Sequence, residues 1–133
     1  MAENKYGKYV LSSDIYHKMH FTDGIMLDAK RLGADLIMGC HVIDRPYLMV
    51  EDAHSHDFHQ VLCFVGSNLE DLHDFGGGVV ELSLGEEGEK QIITSTSVVT
   101  IPPGLKHCPL NFVKVDKPII FIEMMLTAGY ERK

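Results

Sequence analysis

The chain has 133 residues, which is enough for one hydrophobic core and one domain. Hydrophobic residues make up 45% of it and charged residues 23%, proportions typical of a globular protein rather than a disordered or fibrous one. The formal net charge of −7, with no run of Lys and Arg, argues against nucleic-acid binding, which needs a basic surface.

The apolar segments are short. The longest runs, "ADLIMGC" and "PIIFIEMML", cannot span a bilayer, and the first ten residues contain no apolar signal-peptide stretch. Cys40, Cys63 and Cys108 are odd in number and far apart, which is typical of buried free thiols in a reducing compartment. These features predict a cytoplasmic protein with no membrane partner.

The first part of the chain is weakly patterned. Residues 1–24 are polar and irregular, and we interpret them as an N-terminal arm with one short strand, followed by a single domain over 25–133. The arm contains His17 and His20, to which the pattern assigns no role. The segment "LDAKRLGADLIMGCHVI" begins as a helical turn and ends as a strand.

The β pattern becomes clear from residue 58. "FHQVLCFVG" predicts a strand that ends at Gly66, and "SNLEDLHD" predicts one turn capped by Asn68. "VVELSL" alternates, with Val80, Leu82 and Leu84 on one face. "QIITSTSVVTI", "HCPLNFVKV" and "KPIIFIEMML" predict further strands, with turn signals roughly every ten residues. This spacing indicates an all-β barrel or sandwich.

Three histidines and a glutamine lie close together in "HSHDFHQ", residues 54–60. In an extended chain, side chains alternate between faces, so His54, His56 and Gln60 share one face while His59 lies on the other. Histidines at i and i+2 have Cα atoms roughly 7 Å apart, and their imidazoles can converge on one ion. The pair alone is weak evidence, and its support comes from "PPGLKHCPLN", residues 102–111.

These two stretches resemble the paired motifs of the cupin superfamily. The second family motif is a Gly, five residues, P-x-G, two residues, His, three residues and Asn. The chain is similar to it from Pro102 through Gly104 and His107 to Asn111, with Thr96 in place of the leading Gly.

The first family motif is a Gly, five residues, H-x-H, three or four residues, Glu, six residues and Gly. The chain has both histidines, His54 and His56, but Gln60 stands in the Glu position. Leu48 replaces the leading Gly, and Gly66 comes one residue early. The resemblance covers about residues 34–126.

The resemblance implies a single-domain cupin β-barrel of the jelly-roll type, with one divalent transition metal ion held inside. The implied ligands are His54, His56, Gln60 and His107, and the ion is Fe, Zn, Mn, Ni, Cu or Co. Because Gln60 offsets none of the ion's charge, we expect a more Lewis-acidic but more weakly held ion than a Glu ligand would give. An alternative is that the Gln60 amide only supports the ligands.

For the other polar residues near the motifs, a structural role and a functional role are both considered. Cys63 and Cys108 have the wrong parity for the metal, so we expect them to be small core residues that face away from it. His59 and Lys106 are expected on the outer face.

Three residues are candidate substrate-binding groups: His41 at the barrel mouth, and Arg45 and Tyr47 just before the first motif. The alternatives are a structural histidine and a simple turn around Pro46. Glu123 interrupts an apolar strand, and it is a candidate catalytic base if it points inward and a surface acid if it points outward.

The function favoured by these features is a metal-dependent enzyme acting on a small polar metabolite, with dioxygenase, isomerase or lyase chemistry. One alternative is a non-catalytic, metal-dependent module that binds or senses a small molecule. Another is a metal ion that only stabilises the barrel. We also expect a homodimer, formed through a sheet face or by exchange of the arm.

Overall fold

The computed structural model describes residues 4–19 and 22–133, and these residues contain ten strands in two antiparallel sheets. The strands are β1 (Tyr16–Met19), β2 (Thr22–Leu27), β3 (Ile37–Ile43), β4 (Tyr47–Val50), β5 (Gln60–Gly66), β6 (Val79–Leu84), β7 (Glu89–Ile93), β8 (Ser97–Ile101), β9 (His107–Lys114) and β10 (Ile119–Met125). A short 3₁₀ helix covers Gly7–Tyr9 and a one-turn helix, α1, covers Ala29–Leu32. The all-β prediction is confirmed.

The two sheets face each other as in a jelly roll. The larger sheet has the order β1-β2-β3-β10-β5-β8, and the smaller sheet has the order β4-β9-β6-β7. The strands alternate buried and exposed residues, so the inner faces of both sheets supply the core. In the described part of the chain, no helix is long and apolar enough to cross a membrane.

One end of the interior is closed by aromatic packing. The rings of Phe64, Phe112 and Phe121 have centroids 5.2 to 6.0 Å apart, and their exposed fractions are 1% or less. Val80 and Leu82, which the sequence predicts on one face, are fully buried beside them. Burying side chains of this size contributes about 1.5–3 kcal/mol each, so this end carries much of the stability.

The N-terminal region is partly built into the larger sheet. β1 pairs with β2, and β2 pairs with β3, so the predicted boundary at residue 24 falls inside β2. His17 lies in β1 and is exposed, whereas His20 lies outside the described residues. The helical turn predicted before the next strand is α1, which is capped by a hydrogen bond from Arg31 N to the Asp28 carboxylate at 3.0 Å.

Candidate metal centre

Backbone hydrogen bonds join the two histidine-bearing segments. His54 N donates to the His107 carbonyl at 3.0 Å, and His107 N donates to the His54 carbonyl at 2.8 Å. A third bond runs from Gly104 N to the His56 carbonyl at 2.8 Å. Apart from this isolated bridge, residues 54–59 form a connecting loop, and the strand predicted from residue 58 begins at Gln60. The pairing holds both segments at the open end of the barrel.

The three imidazoles form one cluster in the interior. Ring centroids are 4.8 Å apart for His54 and His56, 4.5 Å for His54 and His107, and 5.1 Å for His56 and His107. Their exposed fractions are 6% or less. Strand parity therefore placed the His-x-His pair correctly, although its two residues lie in a loop.

Backbone carbonyls orient all three rings. Nδ1 of His54 lies 2.8 Å from the Asp52 carbonyl, Nδ1 of His107 lies 2.9 Å from the Leu105 carbonyl, and Nδ1 of His56 hydrogen-bonds to the Glu131 carbonyl. Because a carbonyl oxygen only accepts, Nδ1 carries the hydrogen in the neutral ring and Nε2 keeps a lone pair. Metal-binding histidines use this arrangement, in which one nitrogen is anchored and the other binds the ion.

Burial favours the neutral form of His54 and His107. It lowers the pKa of His107 to about 4 and lowers the pKa of His54 in the same direction, against the effect of the backbone hydrogen bonds. A neutral imidazole is the form that binds a metal ion.

Two buried polar atoms of the site have no hydrogen-bond partner within the described residues, namely His56 Nε2 and Gln60 Oε1. An unsatisfied buried donor or acceptor costs about 1–3 kcal/mol, so native interiors rarely leave one. A metal ion accepts a lone pair from both atoms. The residues present therefore fit a divalent transition metal ion.

The prediction that Cys108 faces away from the metal is wrong. Ligand atoms of His54, His107 and Cys108 all lie within 4.8 Å of one another, and Cys108 is 5% exposed. The cause is a bulge, because β9 advances three residues from His107 to Leu110 while the paired strand β6 advances two. The extra residue resets the alternation, and Cys108 takes a φ of 82°. Burial raises the pKa of its thiol to about 11.

The other side chains predicted on the outer face do lie away from the cluster, although Cys63 is only partly buried and is not part of the hydrophobic core. Cys63 lies on the outer face of β5. His59 turns away from the cluster, and its Nε2 lies 2.5 Å from Thr100 Oγ1. Lys106 forms a partly exposed ion pair with Glu86 at 3.8 Å.

A cavity of about 360 Å³ adjoins the cluster. His54, Gln60 and His107 form part of its wall, and most of the remaining wall is apolar, with Leu62 and Phe121 among the residues that line it. A volume of this size lies near the lower end of the usual range for small-molecule sites. The cavity thus has room for a small molecule beside the imidazole cluster.

Glu123 lines this cavity with a side chain that is 20% exposed. Its Oε1 lies 3.9 Å from Nε2 of His41, which is fully buried and has no hydrogen-bond partner at either ring nitrogen within the described residues. The His41 ring fits against Gly24 and Gly39, where a Cβ atom would lie 2.8 Å from a ring nitrogen. His41 therefore sits behind the cavity wall rather than at the barrel mouth.

The structure separates the two remaining candidate substrate-binding residues. Tyr47 lines the cavity, and burial raises the pKa of its phenol. Arg45 is exposed and its Nε lies 2.9 Å from the Asp44 carboxylate, so it lies outside the cavity wall. Of the two, only Tyr47 is placed to contact a ligand there.

Residues 126–133 form a second part of the site that no sequence pattern predicts. Lys133 exchanges backbone hydrogen bonds of 3.0 and 2.8 Å with Ser55, which returns this segment to the histidine loop. The Tyr130 ring lies 4.9 Å from the His56 ring, and both Tyr130 and Arg132 line the cavity. These contacts join residues about 75 positions apart, and no local pattern reports them.

Solved structures with similar folds are known. The chain is similar to oxalate decarboxylase from Lactobacillus farciminis in its formate complex, with a TM-score of 0.57 and 15% identity over 89% of this chain and 32% of that chain. It is also similar to vicilin from Corylus avellana (TM-score 0.60, 11% identity, 94% of this chain and 36% of that chain). The polyketide cyclase RemF from Streptomyces resistomycificus gives a TM-score of 0.51 at 15% identity, over 83% of this chain and 66% of that chain.

These neighbours are cupin-fold proteins, and they include enzymes. The chain therefore has the cupin fold, which confirms the resemblance carried by its two motifs. It spans about a third of the length of the oxalate decarboxylase that it matches. No protein-family model matches the chain, and no curated protein matches it.

Proposed function

We propose that this cupin-fold chain is a metal-dependent enzyme acting on a small polar metabolite. His54, His56, His107 and Gln60 would hold the ion beside the cavity. The observation that carries the proposal is the shared orientation of three buried imidazoles, each anchored at Nδ1 by a backbone carbonyl. A cluster that served only as packing would not need each ring anchored at Nδ1 so that Nε2 keeps its lone pair.

Two groups compete for the fourth position. Gln60 Oε1 is buried without a hydrogen-bond partner in the described residues, whereas the Cys108 thiol is the group that lies within 4.8 Å of two imidazole donors. We assign the position to Gln60, because an ion there satisfies an atom that otherwise costs free energy. Substitution with Co²⁺ tests this choice, since a thiolate ligand would add a sulfur-to-metal charge-transfer band that Cys108→Ser removes. We expect no such band.

A bound divalent ion would polarise a carbonyl or carboxylate oxygen of the substrate or, if redox-active, support oxidation. Glu123 would move the proton, since it is the carboxylate on the cavity wall and has limited contact with water. Tyr47 would orient the substrate from the same wall. The rest of the cavity wall is apolar and would exclude water, which would strengthen the electrostatic interactions of the substrate with the ion and with Glu123.

Turnover by the metal-loaded protein tests this proposal. The wild type and Glu123→Gln would be incubated with a panel of small carboxylic acids and carbonyl compounds, with proton NMR following the products. We expect a loss of about 100-fold or more in Glu123→Gln at unchanged metal content, because general acid–base groups contribute factors of this size. Oxygen consumption would separate a dioxygenase from an isomerase or lyase. Ligand binding without any turnover would instead support the binding or sensing module.

The homodimer and the role of the arm stay predictions. β1 is an edge strand of the larger sheet, and an edge strand can pair with or exchange into another copy. Deleting residues 1–20 should shift a dimer to monomer in analytical ultracentrifugation. A truncated protein that remains dimeric would exclude the arm from the interface.

A further inference from the structure

Arg132 is an exposed cation on the cavity wall, and its side chain is held by Tyr130. Its Nε donates a hydrogen bond of 2.8 Å to the Tyr130 hydroxyl, and its Cζ lies 5.7 Å from the centroid of the Tyr130 ring. The backbone of the next residue, Lys133, pairs with that of Ser55. These contacts order a long side chain before any ligand arrives.

The guanidinium of Arg132 has no acidic partner among the residues that the structure describes. None of the ion pairs in residues 4–19 and 22–133 includes Arg132, although its fork of donors suits a carboxylate. Its hydrogen bond to Tyr130 uses only Nε, so the two terminal nitrogens are left for a ligand.

Arg132 also lies near the imidazole cluster. Its guanidinium is hydrogen-bonded to Tyr130, whose ring lies 4.9 Å from the His56 ring, and Arg132 lines the same cavity as His54 and His107. Arg132 therefore borders the part of the cavity where the proposed metal ligands lie.

The charges at this end of the cavity suit a ligand with a single negative charge. Among the described residues, the acidic and basic side chains on the cavity wall are Glu123 and Arg132. The proposed ligands are neutral, so a divalent ion and Arg132 together make the cluster end positive. A single negative charge on the substrate is attracted there, and a second charge would be repelled by Glu123. The remaining wall is mostly apolar.

We propose that Arg132, positioned by Tyr130, binds the carboxylate of the substrate, and that the substrate is a small monocarboxylic acid with an apolar body. This inference rests on the proposed function for the identity of the cavity as the active site. It adds the substrate class and a substrate-binding residue that neither motif contains.

The test uses a matched pair of probes, isovalerate and isovaleramide, which have nearly the same size and differ in charge. Binding of each to the full chain loaded with Zn²⁺ would be followed by NMR titration, with zinc content measured in parallel. The variants are Arg132→Gln, Arg132→Lys and Tyr130→Phe. Lys133→Gln is the control, because it removes a neighbouring cation that is already paired with Asp57.

We expect the wild type to prefer isovalerate, and Arg132→Gln to bind isovalerate about tenfold or more weakly, since hydrogen bonds to charged groups are worth factors of this size. Isovaleramide binding and zinc content should not change. Arg132→Lys and Tyr130→Phe should bind isovalerate severalfold more weakly than the wild type, and Lys133→Gln should bind it with wild-type affinity.

Wild-type affinity for isovalerate in Arg132→Gln would overturn the inference. So would an equal loss for both probes, because it would mean that Arg132 only packs the wall. If the wild type binds no zinc, the proposed function fails. The same titrations on the metal-free chain then decide the role of Arg132 by the same criteria.

Discussion

The two ends of the barrel interior differ in how their buried groups are satisfied. At the closed end, Phe64, Phe112 and Phe121 pack against one another in a hydrophobic cluster. At the open end, His56 and Gln60 bury polar atoms that find no partner in the described chain. The closed end thus stabilises the fold, whereas the open end costs stability unless an ion binds. Substitutions at the closed end should therefore change stability alone, whereas substitutions at the open end should also change metal binding.

The largest effect is expected at the closed end. Phe112→Ala removes a fully buried ring and should lower the free energy of unfolding by about 3–5 kcal/mol, measured by urea denaturation. The control, Tyr16→Ala, removes an aromatic ring that is 74% exposed and should change stability by about 0.5 kcal/mol or less. Similar losses in both variants would contradict the location of the core.

The second-largest effect is expected at low pH, where protonation of His107 at the open end should lower the free energy of unfolding. The pKa of His107 is about 4 in the folded chain and near 6.5 when unfolded, because burial disfavours the charged ring. The unfolded chain therefore takes up the proton first, and stability present above about pH 6.5 is lost as the pH falls towards 4. The pKa difference corresponds to at most about 3 kcal/mol. Urea denaturation of the metal-free wild type between pH 7 and 4 measures this loss.

The control for this pH dependence is His107→Gln, which should show a flatter profile over the same range. An identical profile in the variant would assign the acid sensitivity to other groups.

Gln60 offers a sharper contrast, because one residue should affect metal binding and stability in opposite directions. Gln60→Glu supplies a negative charge to the ion and should tighten zinc binding by about tenfold. Without the ion, a buried carboxylate is costly, so the metal-free variant should lose about 1–3 kcal/mol. Calorimetry with Zn²⁺ and denaturation of the metal-free protein measure the two effects. Unchanged or weaker zinc binding would count against Gln60 as a ligand.

The smallest effect is expected on the surface. Lys106 is next to His107 in sequence, but its ion pair with Glu86 spans 3.8 Å between well-exposed groups. Lys106→Ala should change the free energy of unfolding by less than about 1 kcal/mol and leave zinc binding unaltered. A marked loss of zinc would show that the neighbour of the ligand takes part in the site.

Much of this contrast was predictable from local patterns. Alternation along "VVELSL" predicted Val80 and Leu82 in the core, and the resemblance to the cupin motifs implied that His54, His56 and His107 lie in one cluster. The alternation is a local signal that follows from backbone geometry.

The sequence-based predictions fail or are missing where contacts between distant parts of the chain determine the position of a side chain. Cys108 turns inward because β9 bulges against β6, and its own stretch gives no sign of the bulge. His41 is covered because its ring fits against Gly24 of the neighbouring strand β2 and against Gly39 of its own strand. Arg132 reaches the cavity because its segment pairs with a loop far away in the sequence. Such contacts depend on the assembled barrel rather than on local propensity.

Metal stoichiometry tests the central claim most directly. The full chain would be purified without chelator, loaded with Zn²⁺ and analysed for bound metal as the wild type, His107→Ala and His59→Ala. The last is a matched control, since His59 lies beside the cluster but contacts Thr100 instead. We predict one ion per chain in the wild type and His59→Ala, and a loss of most of it in His107→Ala. Full retention in His107→Ala, or no bound ion in the wild type, would contradict the account.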